Sequence, residues 1–464
     1  MSTAHPGIPE ASSGDQFLRI EEHGIEPIPA GERHGRAREL AFLWGGAFVN
    51  YASLLTASLA TSFFGLGVWD GLAATVLGTV AGAVVLGLLS HTGPRSGLPQ
   101  IAYTRRVFGA AGMRIGAFLT LFLAVGWFAV GVVIAAQAGV QLFTLAGMDA
   151  ATAGKLAFPL VVVVAGVTSL VAVYGHATIK VFETVGAIAF AALSLVLFLL
   201  LAPQFHWTAG STVHGGDYAG AFVLGFMVCF ALVASWYPFA SDYSRYLPAD
   251  APSRGLTWWP VVGVTLPMAL LGLFGLLLPT IDPALARSAS GGALAVITRH
   301  APGFVAIPFF VFVVLGEIWA CYLDVYTAGL VTLTLGIRLE RWQTALGCGV
   351  VGALLAAYAV VVQDFHTAYQ QFLLLTYLWA PAWAVIVLLA FRAGGRGRAA
   401  PALVAWALGT AVSLAFVNYP NLYPEAVVPN QRLIDALHGA DLSGLVSAAV
   451  AGVTYLLLRR PEVP

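Results

Sequence analysis

Charge is what this chain has least of. Only 9% of its 464 residues are Asp, Glu, Lys or Arg, against about 25% in an ordinary soluble domain. So few charges cannot cover a water-facing surface, which excludes a soluble globular fold and makes a bilayer the expected solvent. The charges present cancel, 22 basic against 22 acidic, so the basic excess that nucleic-acid binding needs is missing. Cysteine is nearly absent too: Cys229, Cys321 and Cys348 all lie inside apolar runs, and no disulfide framework is expected. Residues 1–39 are polar and have no apolar core, so a cleavable leader is not expected, and they read as a cytoplasmic tail. The ten histidines fall mostly in loops without metal-ligand spacing, and no metal or cofactor is expected. The loops hold no catalytic cluster of His, Asp or Ser, which argues against an enzyme, and nothing implies an obligate protein partner.

Apolar residues fill the space that charge leaves, at 59% of the chain, with 51 glycines and 24 prolines. Glycine and proline at this level suit membrane helices better than soluble ones. A helix needs roughly 20 apolar residues to cross a bilayer, and twelve windows meet that rule. They lie near 40–64, 68–90, 111–140, 154–174, 177–202, 218–242, 257–282, 302–335, 342–363, 366–391, 399–418 and 441–459. The fold class is therefore an all-α integral membrane protein with twelve transmembrane helices. The piece GLPQIAYTRRVFG (97–109) is too polar to span and is expected at the interface.

Lys and Arg set the orientation. With the N-terminus in the cytoplasm, the inner side collects 18 of the 22 basic residues and the outer side keeps only Lys155, Arg287, Arg299 and Arg432. A missed span would invert everything beyond it, so both termini are expected inside. This topology permits two five-helix repeats of opposite orientation, 40–202 and 218–391, followed by two extra helices and a short tail at 399–464. Inverted repeats are a transporter signature, with substrate and ion sites at mid-membrane on broken helices.

Two spans carry the marks of a break. Span one reads LWGGAFVNYASLLTASL (43–59), where Gly45 and Gly46 weaken the helix and Asn50, Tyr51, Ser53, Thr56 and Ser58 gather polar groups at mid-depth. Span six reads CFALVASWYPFASDYSRY (229–246), where Pro238 removes a backbone donor. Freed backbone groups at that depth must line a cavity or be buried in protein. The two segments occupy corresponding places in the two halves. Asp242 and Arg245 stand about one turn apart at the inner end of span six and are expected to pair, bracing a hinge around Pro238.

Spans three and eight supply the remaining candidates. Trp127 sits mid-span, away from the interfacial belt where Trp usually settles, between Gly126 and Gly131. It offers a stacking surface for a flat ligand, while Gln137 is expected to bond a neighbouring helix. In span eight, Glu317 and Asp324 are seven residues apart and share a helix face. A charged carboxylate at mid-membrane is unfavourable and marks a functional site by default, and Glu317 is the deeper. Other charges have simpler readings: Lys180 and Glu183 as a local pair, Asp70 and Asp364 as hydrated helix ends.

Four stretches together resemble a known family, the nucleobase:cation symporters of the purine–cytosine permease, allantoin and hydantoin transporter group. They are GIEPIPAGER (24–33) followed by Trp44-Gly45-Gly46; GPRSGLPQIAYTRRVFG (93–109); Gly126-Trp127 with WYPFASDYSRYLP (236–248); and GEIWACYLDVYTAGL (316–330). The DYSRYLP form is similar to that of purine–cytosine permeases. The resemblance implies a LeuT-like five-plus-five inverted repeat with two extra C-terminal helices. It implies a planar heterocycle stacked on Trp127 and held by groups from spans three, six and eight: Gly131, Phe230, Ser235, Trp236, Glu317 and Cys321, with Asn50 from span one. Coupling-ion groups are expected on spans one and eight, chiefly Glu317 and Asp324.

The chain departs from that pattern where the base edge is read. Gly131 stands where the family often has Asn or Gln, and Cys321 and Asp324 stand in place of two Asn. Leu315 and Gly316 replace the Ser/Thr pair of sodium-coupled members, and a hard cation wants oxygen ligands, so the expected coupling ion is H+. The expected activity is import of a nucleobase or related planar N-heterocycle across the cytoplasmic membrane by proton symport, through alternating access. Allantoin, a hydantoin or a hydroxymethylpyrimidine is the alternative cargo under the same mechanism, and a channel or membrane enzyme the remote alternative.

Overall fold

The computed structural model describes residues 26–174, 179–287, 292–336, 341–361, 365–395, 397–418 and 430–459. The expectations for most of the N-terminal tail, the Lys180–Glu183 pair, Asp364 and the end of the C-terminal tail lie outside the described residues and side chains.

The described chain is helical. In order come α1 (Glu39–Phe48), α2 (Tyr51–Ser62), α3 (Val68–Leu89), α4 (Thr92–Ser96), α5 (Gln100–Tyr103), α6 (Arg105–Leu145), α7 (Ala150–Gly154), α8 (Ala157–Tyr174) and α9 (Ile179–Leu201). The second half holds α10 (Gly215–Ala234), α11 (Ala240–Ser244), α12 (Ser253–Ile281), α13 (Pro283–Ala286), α14 (Ala293–His300) and α15 (Gly303–Leu335). It continues with α16 (Arg341–Val361), α17 (Phe365–Arg392), α18 (Ala399–Ser413), α19 (Asn430–Ala436) and α20 (Ser443–Leu458).

Among the described residues, eight helical segments are long and apolar enough to cross a bilayer, and the bent α1–α2 pair makes a ninth. Shorter apolar stretches within α8, α16 and α20, Ala157–Leu170, Leu346–Val361 and Ser443–Leu458, fall in the windows for spans four, nine and twelve. Large apolar side chains such as Phe118, Val163, Ile188, Leu199, Leu270 and Leu354 are exposed. In water that would be a defect, but it is what a hydrocarbon-facing belt requires.

Packing sorts the helices into groups. The α1–α2 pair, α3, α10 and α12 pack on one another; α6, α8, α15 and α16 form a second set, with α9 against α15; α17, α18 and α20 form a third. Small residues make the close approaches, as expected where helices meet without a hydrophobic driving force. A β-carbon on Gly78 of α3 would strike the Phe226 carbonyl of α10, and one on Gly275 of α12 the Leu54 carbonyl of α2.

Two irregularities shape the centre. Gly45 and Gly46 lie inside α1, and the chain breaks three residues later, at Val49–Asn50, with a 63° bend between α1 and α2. Asn50 is extended, and its side chain caps α2. In span six, α10 stops at Ala234; a 3-10 turn, Tyr237–Phe239, then carries Pro238 at its start, where no backbone donor is needed. Span three is kinked too: Gly109, at φ 70°, separates the first turn of α6 from its long apolar body.

Candidate substrate site

The α1–α2 break is held by its own polar side chains. Asn50 Oδ1 accepts from the Ser53 amide at 3.0 Å, while Asn50 Nδ2 donates to the Ala47 carbonyl at 2.8 Å. Ser53 Oγ donates to the Phe48 carbonyl at 2.7 Å. Both ends of the Asn50 amide are thus engaged in the break, and the residue the break delivers inward is Tyr51, which is fully buried. The Tyr51 hydroxyl lies near the Leu294 backbone of α14 and within electrostatic reach of Glu317.

Spans three and eight meet along their small residues. A β-carbon on Gly131 of α6 would lie 2.5 Å from Cys321 Sγ and 2.9 Å from Glu317 Oε2 of α15. The Glu317 carboxyl therefore occupies the volume of the side chain that Gly131 lacks. Glu317 is only 7% exposed and has no hydrogen-bond or ion-pair partner among the described residues. Cys321 is buried and its thiol donates to the Phe128 carbonyl at 3.4 Å. Asp324, two turns further along the same face, is half-buried and within reach of the Glu317 charge.

Trp127 lies one turn before Gly131 on the same side of α6, half-buried. Its ring meets two aromatic edges from α17: Phe372 at 5.4 Å and 86°, and Tyr369 at 6.2 Å and 70°. Edge-to-face partners fix the plane of the indole. Tyr369 is pinned in turn. Thr56 Oγ1 donates to the Ala52 carbonyl at 2.7 Å, so the 2.6 Å contact between Thr56 and Tyr369 is a hydrogen bond from the tyrosine hydroxyl to Thr56. Glu317 is also near enough to act electrostatically on Tyr369. Spans one, three, eight and ten thus converge on one point.

The structure brings Trp127, Gly131, Glu317 and Cys321 together with the broken span one. It sets the span-six candidates around their own break: Trp236 packs edge-on to Trp44 at 5.7 Å and near Phe48 at 6.3 Å. Ser235 is 2% exposed and its hydroxyl donates to the Leu232 carbonyl at 2.7 Å. Phe230 stacks on Phe226 at 6.4 Å and meets the Tyr237 edge at 6.3 Å. Gln137 is buried without a hydrogen bond among the described residues; Gln141, one turn on, accepts from Thr298 of α14 at 2.8 Å. Tyr369 and Phe372 are the residues that sequence reasoning missed. Span ten shows no break and no charge there, and only its packing against α6 reveals the role.

The end of span six is tied to the linker before α6. Asp242 Oδ1 accepts from the Gln100 amide at 2.8 Å, capping α5. Ser244 Oγ donates to the Ser90 carbonyl at 2.7 Å, and Ser241 Oγ to the Leu98 carbonyl at 3.1 Å. Arg245 is buried, with a guanidinium nitrogen 3.2 Å from the Tyr246 hydroxyl. Arg33 reaches the Pro94 carbonyl at 2.6 Å, so the segment before α1 joins the same knot. At the other end of the bundle α14 covers the site with Leu294, Val296 and Ile297 fully buried.

Comparison with known proteins bears on the family and the fold. The sequence profile of a family described as permease for cytosine/purines, uracil, thiamine, allantoin matches residues 27–446. The putative purine-cytosine permease YxlA of Bacillus subtilis strain 168 is 24% identical over 96% of this chain and 97% of its own. Among solved structures, the inward-facing conformation of Mhp1 superposes with a TM-score of 0.70 at 16% identity, over 94% of this chain and 95% of that one. Mhp1, a nucleobase-cation-symport-1 family transporter, closed with bromovinylhydantoin bound, gives 0.66 at 15% identity over 94% of each chain. At that identity the likeness is one of fold.

Proposed function

The chain belongs to the permease family for cytosine/purines, uracil, thiamine and allantoin, and from that premise we propose that it imports a nucleobase-type planar heterocycle by proton symport. It is a multi-pass membrane transporter and not an enzyme. In our reading it crosses the cytoplasmic membrane twelve times with both termini inside, so that α14 faces outward and the α4–α5 linker faces the cytoplasm. The helix groups support two inverted repeats: spans one and two pack with spans six and seven, and spans three and four with spans eight and nine. Each group thus takes the same two members from each half, which suits one group rocking against the other around a central site.

The observation that carries the proposal is the Glu317 carboxyl, buried without a partner among the described residues beside the Trp127 platform. A buried polar group is ordinarily paired, and a carboxyl left unpaired on the face next to an aromatic plane suits a site that a ligand and a proton complete. The heterocycle stacks on Trp127, and Glu317 carries the coupling proton, with Asp324 on the same face between it and the cytoplasm. A flat cargo of the allantoin, hydantoin or hydroxymethylpyrimidine type is the second reading, favoured by the absence of a side chain at Gly131 to read a base edge. Uptake of radiolabelled cytosine, hypoxanthine and allantoin into proteoliposomes under imposed proton or sodium gradients tests both. Accumulation driven by the proton gradient is expected; uptake that needs sodium and ignores a proton uncoupler sinks the coupling assignment.

A further inference from the structure

We propose that the protonated carboxyl of Glu317 itself reads the substrate edge, selecting heterocycles that present a hydrogen-bond acceptor directly beside a donor, as a lactam or an amidine does. The inference rests on the proton-symport reading and adds the substrate class and the origin of coupling.

Two donors near Glu317 are already committed within the protein. The Tyr369 hydroxyl donates to Thr56 at 2.6 Å and the Cys321 thiol to the Phe128 carbonyl at 3.4 Å. Gly131 contributes no side chain and instead yields its volume to the carboxyl. The titratable groups that Glu317 faces are therefore Tyr51 of α2, Tyr369 of α17, and Cys321 and Asp324 of its own helix. No described Lys, Arg or His acts on it. Among the described residues, no basic group in this shell neutralises a negative charge on Glu317, and its carboxyl makes no hydrogen bond.

A protonated carboxyl places one O–H donor beside one carbonyl acceptor. A lactam offers C=O beside N–H, and an amidine offers a ring nitrogen beside an amino group. Either closes two parallel hydrogen bonds with the neutral acid while its ring lies against Trp127. The carboxylate has two acceptors and no donor, so it meets the acceptor of the same edge with repulsion. Proton and heterocycle then bind as one unit. When the site opens to the cytoplasm, water replaces the heterocycle at the carboxyl, and the proton leaves to that water.

The amide of glutamine presents the same acceptor–donor pair with no proton to gain or lose, so Glu317→Gln is the discriminating variant. Binding of cytosine, as the amidine probe, and hypoxanthine, as the lactam probe, is measured from pH 5 to 9 by tryptophan fluorescence on purified protein, with thermal melting alongside. For the parent, affinity is expected to fall about tenfold per pH unit at the alkaline end, as one bound proton requires. For Glu317→Gln, binding persists with no pH dependence, and uptake no longer accumulates against a gradient. A folded Glu317→Gln variant that keeps the parent's pH dependence, or binds neither probe, overturns the inference. On the unaltered protein, 1,3-dimethyluracil, which lacks any N–H, is expected to bind about a hundredfold or more weaker than uracil; equal binding overturns it independently of any mutation. Sodium-driven uptake by the parent defeats the symport reading beneath it, whereas proton-driven uptake with a pH-dependent Glu317→Gln defeats this inference alone.

Discussion

Gly131 and Glu317 share one volume: Oε2 of the glutamate stands 2.9 Å from where a β-carbon on residue 131 would be. The glycine on span three is thus the condition for a buried carboxyl on span eight, and their substitutions are expected to be coupled.

Gly131→Ala inserts a methyl against both Glu317 and Cys321, whose sulfur is nearer still at 2.5 Å. Overpacking of this kind costs about 1–3 kcal/mol. A lower melting temperature and a substrate affinity reduced about tenfold are expected, with partial recovery when Cys321→Ala is added. Binding isotherms on the single and double variants check this, and parent-like affinity in Gly131→Ala would falsify the shared-volume relationship.

Trp127→Ala removes the platform and frees the Tyr369 and Phe372 edges. Stacking adds about 0.5–1.5 kcal/mol beyond the area buried, so affinity for flat ligands should drop at least several-fold, and Trp127→Phe should keep part of it. Equilibrium binding of cytosine to the three proteins is the measurement. An alanine variant that binds normally means the cargo does not stack there.

The Thr56–Tyr369 hydrogen bond joins spans one and ten inside the bundle. Thr56→Val and Tyr369→Phe each leave a buried polar atom or lose a bond, and each is expected to destabilise by about 1 kcal/mol. The double variant should be no worse than either single one, because both remove the same bond. Additive losses in a thermal-shift cycle would show that the two hydroxyls act separately.

Asn50 bridges the break through both ends of its amide. Asn50→Ala loses the cap of α2, worth about 1 kcal/mol, and also releases the Ala47 carbonyl. Asn50→Asp keeps the acceptor for Ser53 but not the donor for Ala47, so its loss of stability should fall between parent and Ala. Equal losses for Asp and Ala would mean that the Ser53 bond contributes nothing.

Much of the molecule is legible in its residues alone. The charge deficit assigns the bilayer, and Asn50 and Pro238 with their polar neighbours mark both breaks. The position of the first break is less clear. Gly45 and Gly46 have weak helical preference, yet they stay helical in α1, which packs against α12 through Gly263, where a β-carbon would strike the Ala41 carbonyl. The helix ends instead at Asn50, whose side chain can replace the lost helical bonds. Asp242 shows the same limit. Its spacing to Arg245 speaks only of a partner one turn away, and nothing local records that the Gln100 amide, 142 positions distant, reaches its carboxylate at 2.8 Å.

What the sequence determined by itself is what depends on composition and local order: the membrane solvent, the helical segments, the breaks, and the unusual carboxyl at Glu317. These follow from transfer energies and backbone hydrogen bonding, which act within a turn or two. Only the tertiary structure decided that Glu317 fills the space of Gly131, and that span ten supplies Tyr369 and Phe372 to fix Trp127. Those relations join helices across the bundle, and no local periodicity records which side chain will fill another's missing volume.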